Sequence, residues 1–178
     1  MKKNKDLSKH QEWRKKWHQA ENDFQTVLGI KEINDFLNSF DYKDFYNKGR
    51  KNNLMPDKIC RELIKIFKEK NGPAKTINHK EKSYDLIMFF KILVNTEAAK
   101  ADTAATVEEC RRWGHDLVVF SSHDNPCPEC APLEGQVFSL SGKDPDFPLL
   151  PEFPPHPGCR HNIDPVSEFS DYVTSRRP

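Results

Sequence analysis

The feature that most constrains this 178-residue chain is a proline-rich stretch near its C-terminal end. Prolines stand at positions 145, 148, 151, 154, 155 and 157. Proline has no backbone N–H and a fixed φ, so this density excludes a helix or an interior strand. We therefore expect something other than backbone hydrogen bonding to hold this loop in place.

Cysteine and histidine residues flank the proline-rich stretch. Cys127-Pro-Glu-Cys130 is a C-x2-C pair, and His156-Pro-Gly-Cys159-Arg-His161 follows the prolines. Zinc binds four such ligands in a tetrahedron. We expect Cys127, Cys130 and Cys159 to be ligands, with His156 or His161 as the fourth; spacing leaves both histidines open. A structural Zn2+ contributes on the order of 10 kcal/mol in small peptides, enough to pin the loop.

Three other interpretations compete with structural zinc: a redox pair, a hydrolytic zinc, and cysteines that are buried without a metal. A redox C-x2-C pair needs a helix N-terminus, and Ala-Pro-Leu-Glu-Gly at 131–135 is a poor helix start. A hydrolytic zinc needs an open position and a general base, for which His123 and Asp124 are the weak candidates. Such a pair is more often turn chemistry, so an enzyme is disfavoured. Cys60 and Cys110 lie on predicted helices, as core or surface residues.

Apolar spacing and breaker residues predict an α+β chain. It has a helical N-terminal part and a long helix packed against a small β-containing zinc-knuckle module. The predicted helices are 1–28, 31–40, 56–71 and 83–114, and Ser83 is the predicted cap of the last one. The predicted strands are 116–120 and 136–140. Residues 41–55 and 73–82 are predicted to be connections. We divide the chain into a partly flexible helical region (1–82), the knuckle module (83–168) and a tail (169–178).

Charge is unevenly distributed along the chain. The net charge is +1, but residues 1–80 carry +8 and the remainder −7. The basic half suits nucleic acid or an acidic partner. Solvated helix faces are the favoured interpretation, because bases and acids are interleaved. No apolar run approaches the roughly 18 residues needed to span a bilayer, so we expect no membrane partner.

The C-terminal half resembles the phage minor capsid protein 2 family and the related Mu F-like head morphogenesis domain. The resemblance runs from Tyr84 to Pro165. It rests on Asn95-Thr-Glu-Ala98, Gly114-His-Asp-Leu-Val118, Ser121-Ser-His123, residues 127–142, Phe147-Pro-Leu149 and residues 154–161. Members commonly end Cys-Arg-Cys or Cys-Arg-His, which favours His161 slightly over His156 as the fourth ligand. It implies that 83–168 is a Mu F-like minor capsid domain.

The resemblance implies a structural and interaction protein of a phage or prophage head, close to the portal. Its expected partners are portal or capsid proteins. DNA is a further candidate partner, which the charge of the basic half suggests and the resemblance does not. The expected location is the virion, or the bacterial host cytoplasm during assembly. Two alternatives stay open: a zinc- or histidine-dependent nuclease or effector that uses His123 and Asp124, and a plain nucleic-acid-binding module.

Overall fold

The computed structural model describes residues 3–73, 76–124 and 126–166. The predicted tail lies outside these residues. In chain order the elements are α1 (Lys3–Leu28), α2 (Lys31–Ser39), α3 (Tyr42–Lys51), α4 (Pro56–Asn71), β1 (Thr76–His79), β2 (Lys82–Asp85), α5 (Leu86–Trp113), β3 (Leu117–Phe120), β4 (Val137–Ser139) and β5 (Ile163–Pro165). Helices together with two small antiparallel sheets confirm the α+β class. None of the described helices combines the length and apolarity that crossing a bilayer requires.

Contacts divide the chain into two compact units, residues 1–97 and 98–178. The first unit is closed by phenylalanine rings. Phe36 meets Phe67 at 5.0 Å between ring centroids and Phe90 at 6.1 Å, and Phe24 meets Phe89 at 5.2 Å. All five of these side chains are buried. The apolar start of α5 therefore packs against α1, α2 and α4.

Helix α3 lies in a segment that was predicted to be a connection, and that prediction was wrong. Asp41 begins the helix by accepting a hydrogen bond from the Asp44 N–H at 2.9 Å. Gly49 lies inside the helix, at a point where α4 approaches it closely. A Cβ at this position would come within 2.9 Å of Ile59.

The predicted linker at 73–82 and the predicted cap at Ser83 are also corrected. Residues 76–85 form the β1–β2 hairpin, in which Ile77 is paired with Tyr84. Helix α5 begins after it, and the Asp85 carboxylate caps it by accepting from the N–H groups of Ile87 at 2.8 Å and Met88 at 3.1 Å. The hairpin was missed because its polar residues lack the alternation of a half-buried strand.

The second unit is built on the sheet β4-β3-β5, with β3 in the centre. Strands β3 and β4 confirm the two predicted strands; β5 was not predicted, because it has three residues and includes a proline. The core beside this sheet contains Phe120 and Phe138 together with Cys110, Cys130 and Cys159. Two of the expected metal ligands thus line the hydrophobic core.

Asp116, at the start of β3, anchors the residues after β4. Its carboxylate accepts from the Ser139 hydroxyl at 2.6 Å, and from the Ser141 N–H at 2.8 Å and hydroxyl at 3.0 Å. Burial alone raises the pKa of Asp116. These hydrogen bonds and the charge of Lys143 together lower it by more, so the pKa lies below its ordinary value. The aspartate is therefore held as a carboxylate that clamps this turn.

The proline-rich loop contains no helix or strand, as predicted, but backbone hydrogen bonds do help to fix it. The Ser139 N–H donates to the Pro148 carbonyl at 2.8 Å, and the Leu150 N–H donates to the Ser139 carbonyl at 2.9 Å. Phe147, which precedes Pro148, is buried. The expectation that backbone bonding plays no part is therefore wrong for the first half of the loop.

Candidate metal centre

The first half of the site is a tight turn after β3. The Cys130 N–H lies 3.1 Å from the Cys127 carbonyl and 3.3 Å from its sulfur, and the Ala131 N–H donates to the same carbonyl at 2.9 Å. This turn directs both sulfur atoms to one side. Cys130 is fully buried and Cys127 is half-buried.

The second half is a similar turn that follows the proline-rich loop. The Cys159 N–H donates to the His156 carbonyl at 3.2 Å. Gly158, the third residue of the turn, has a φ of 77°, a left-handed conformation that glycine adopts without strain. The turn therefore directs His156 and Cys159 towards the first pair.

The two turns bring five donor residues together in two overlapping groups. One comprises Cys127, Cys130 and His156; the other comprises Cys130, Cys159 and His161. Within each group the donor atoms all lie within 4.8 Å of one another. All of these thiols are free. The cluster can hold a metal ion.

Of the two histidines, His156 contacts more of the sulfur atoms. Its Nε2 lies 3.2 Å from the Cys127 Sγ and 3.3 Å from the Cys130 Sγ. A hydrogen bond with Cys159 is also the main reason that its pKa is raised, to about 10. On the other side of the ring, Nδ1 is 3.0 Å from the Pro157 carbonyl, which can only accept. With the Nδ1–H held by this carbonyl, a metal ion that displaced the Nε2 proton would meet a lone pair that already points towards the sulfurs.

His161 sits at the edge of the cluster and is held by a carboxylate. Its Nδ1 is 3.5 Å from the Cys159 Sγ, while its Nε2 is 2.8 Å from the Glu134 carboxylate. The same Glu134 oxygen accepts the His123 N–H at 2.7 Å. Burial lowers the pKa of His161, and the hydrogen bond from His161 lowers the pKa of Glu134. Glu134 thus joins the β3 end of the unit to the second turn.

The electrostatics of the thiol cluster favour a bound cation. Burial is the main cause that raises the pKa of Cys130, followed by its hydrogen bond with Cys127 and the charge of Cys159. Buried thiolates without a cation repel each other and lack solvation. A divalent metal ion supplies the missing positive charge and deprotonates coordinating thiols.

The weak catalytic candidates are not arranged around an open position. His123 is exposed, its Nε2 lies 2.9 Å from the Arg160 carbonyl, and its ring meets that of His161 at 4.5 Å. Asp124 is exposed and forms no hydrogen bond or ion pair with any part of the chain that the structure describes. Cys60 and Cys110 are both buried, Cys60 in the first unit and Cys110 in the core beside the sheet.

Comparison with known proteins gives one family. The family model "Phage minor capsid protein 2" matches residues 61–146, just under half of the chain. The predicted resemblance to phage minor capsid protein 2 is confirmed. The matched minor capsid segment begins at Arg61, within the first 80 residues where no relationship was predicted, and ends before His156. No curated protein and no solved structure shows significant similarity to the chain.

The minor capsid segment contains Cys127, Cys130, Asp116 and Glu134, and the second turn follows it. The sequence identified all five donors but did not identify Glu134 as the partner of His161. One signal was also overlooked. His156 and Cys159 are separated by two residues, the same spacing as Cys127 and Cys130. Equal spacing in both halves singles out His156 as the partner of Cys159 in a second turn.

Proposed function

We propose that this chain is a structural and interaction protein of a phage or prophage head, and that one zinc ion holds its second unit together. The minor capsid match supports a structural role in the head. The arrangement of the cysteine turn against the histidine turn supports the metal site. Contacts with portal or capsid proteins, close to the portal, are part of this proposal.

The observation that carries the zinc proposal is the set of distances between donor atoms. In a tetrahedral zinc site two sulfurs lie about 3.7 Å apart, and a sulfur and a nitrogen about 3.5 Å apart. The Cys130 and Cys159 sulfurs are 3.7 Å apart, and His156 Nε2 lies 3.2 and 3.3 Å from the sulfurs of Cys127 and Cys130. Three thiolates and one imidazole form a closed site of the kind that stabilises a fold.

We assign His156 as the fourth ligand and His161 as a supporting residue. His156 interacts with all three cysteines, whereas the close sulfur contact of His161 is with Cys159 alone. His161 is anchored instead by Glu134. Carboxylate–histidine pairs of this kind commonly surround zinc sites and orient the residues that bind the metal. This differs from the slight preference for His161 that the resemblance implied.

Metal analysis of the purified chain tests this proposal. We expect about one equivalent of zinc per chain, from the single set of four ligands. The cobalt(II)-substituted protein should show the visible absorption of a tetrahedral site with three thiolates and one nitrogen. His156→Ala should alter this spectrum because it removes a ligand. His161→Ala should leave the spectrum in place while lowering affinity by about 10-fold or more.

His115→Ala is the matched control, because this histidine is exposed in the same unit and lies outside the donor cluster. It should leave both metal content and spectrum unchanged. Less than half an equivalent of zinc, together with freely reactive thiols, would contradict the metal site. A spectrum that changes in His161→Ala and not in His156→Ala would overturn the ligand assignment alone.

A further inference from the structure

The exposed side of α4 carries a row of cations. Lys58, Arg61, Lys65 and Lys68 are three or four positions apart, so they lie within an arc of about 80° and along about 15 Å of the helix. Lys58, Arg61 and Lys65 are exposed and Lys68 is half-buried. We call these four residues the α4 basic row.

The orientation of α4 is fixed by its opposite side. Ile59, Leu63 and Phe67 are each no more than 3% exposed. Phe67 packs edge-on against Phe36 in the core of the first unit. The helix therefore cannot roll without losing this burial, and the α4 basic row is presented on a rigid surface.

None of the four cations forms an ion pair within the described part of the chain. Lys16 and Lys48, by contrast, are paired with Glu12 and Asp44 one helical turn away. On α4, Glu62 and Glu69 follow Lys58 and Lys65 by four positions, the less favourable order for a helical ion pair. Asp57 precedes Arg61 by four positions, but the Arg61 side chain donates to the backbone carbonyl of Asp57, at 3.2 Å.

Two open grooves lie beside the α4 basic row, and Arg61 lines both of them. One, of about 490 Å³, is lined by Leu54, Lys58, Arg61 and Glu62. The other, of about 450 Å³, is lined by Arg61, Ile64, Lys65, Lys68, Glu69 and Pro73. Neither contains an aromatic side chain on which a nucleobase would stack.

We propose that the α4 basic row binds the phosphate backbone of duplex DNA without reading its sequence. Cations repeated at 4.5 to 6 Å, roughly, along a rigid helix suit a regular row of phosphate charges. The lack of aromatic side chains in the two grooves disfavours the binding of single-stranded nucleic acid, whose bases stack on such side chains. The flanking Glu62 and Glu69 limit the contact to one edge of the helix. This suits a contact with the DNA phosphate backbone and not the insertion of the helix into a groove of the DNA.

Anisotropy with a short labelled duplex of random sequence tests this on the full zinc-loaded chain. If four phosphates are contacted, the slope of log K against log salt should be about −3.6. Affinity should then fall about 150-fold between about 50 mM and about 200 mM salt. Arg61→Gln with Lys65→Gln should reduce the magnitude of this slope by about two.

Lys31→Gln with Lys43→Gln is the matched control: both lysines are exposed on other helices of the same unit, and the change in net charge is identical. The control should keep the wild-type slope. An equal reduction of the salt slope in both double variants, or binding whose affinity does not depend on salt, would overturn the proposal. Tighter binding of polyglutamate than of the duplex would assign the row to an acidic protein, and tighter binding of a single strand would exclude the duplex.

Discussion

At the scale of single residues, the second unit depends on polar side chains that connect segments distant in sequence. Asp116 connects the start of β3 to the turn after β4. Glu134 connects the segment after β3 to His161 in the second turn. Both are carboxylates whose pKa values are lowered by the hydrogen bonds they accept. They remain charged at neutral pH, so their acceptor capacity is preserved when the thiols bind a metal.

Asp116→Ala should destabilise the second unit by about 2 kcal/mol, the usual cost of removing hydrogen bonds to a charged group. The change leaves the fully buried Ser139 hydroxyl without its acceptor. Chemical denaturation of the zinc-loaded protein measures the loss. Asp102→Ala is the control, because Asp102 is exposed on α5; it should change stability by less than about 0.5 kcal/mol. Equal effects of the two substitutions would contradict this role.

At the scale of elements, the two turns of the candidate metal centre depend on backbone conformations as well as on donor side chains. The first turn begins with three hydrogen bonds around Cys127, and the second requires a positive φ at Gly158. A turn that is already formed presents its ligands at a lower entropic cost. The geometry of the turns is therefore part of the metal affinity.

Gly158→Ala tests this contribution of the backbone. An alanine at a φ of 77° should cost about 1 kcal/mol and reduce zinc affinity about five-fold. Gly114→Ala is matched in strain, since Gly114 has a φ of 72° and open space around it. It should lower stability by a similar amount and leave affinity unchanged. Chelator competition measures the two affinities, and equal affinities for the two variants would refute the idea.

Elements with strong local signals were predicted well from the sequence. Pro56 at the first position of α4 and Gly72 after its last residue mark that helix clearly. The helix α3 was missed because Gly49 reflects close contact with Ile59 of α4, a tertiary cause that no local pattern contains. The donor set was found because cysteine spacing is a chemical signal. The partner of His161 was not predicted, because Glu134 is 27 residues away in the sequence.

At the scale of the whole molecule, the chain combines two units that are stabilised by different means. The first has a core of aromatic rings. The second has a three-stranded sheet with a thiol cluster beside it. The first 80 residues carry the positive charge and the cluster lies in the acidic remainder. We therefore expect metal removal to affect one unit and leave the other folded.

Limited proteolysis after chelation examines this independence. New cleavage should be confined to residues 121–136 and 151–162, which the proposed zinc ion would join, while fragments containing α1 to α4 persist. The anchors at Asp116 and Ser139 should keep the start of the proline-rich loop protected. Adding zinc back should restore resistance. Simultaneous cleavage throughout α1 to α4 would show that the units are not independent.

The burial of the cluster has a consequence for how quickly a bound ion exchanges. Cys130 and Cys159 are 0% and 3% exposed, and they face the interior, whereas Cys127 is half-buried. An incoming chelator therefore meets Cys127 first and reaches the other sulfurs only when that turn opens. The exchange rate of the proposed zinc ion would therefore report how often this turn opens.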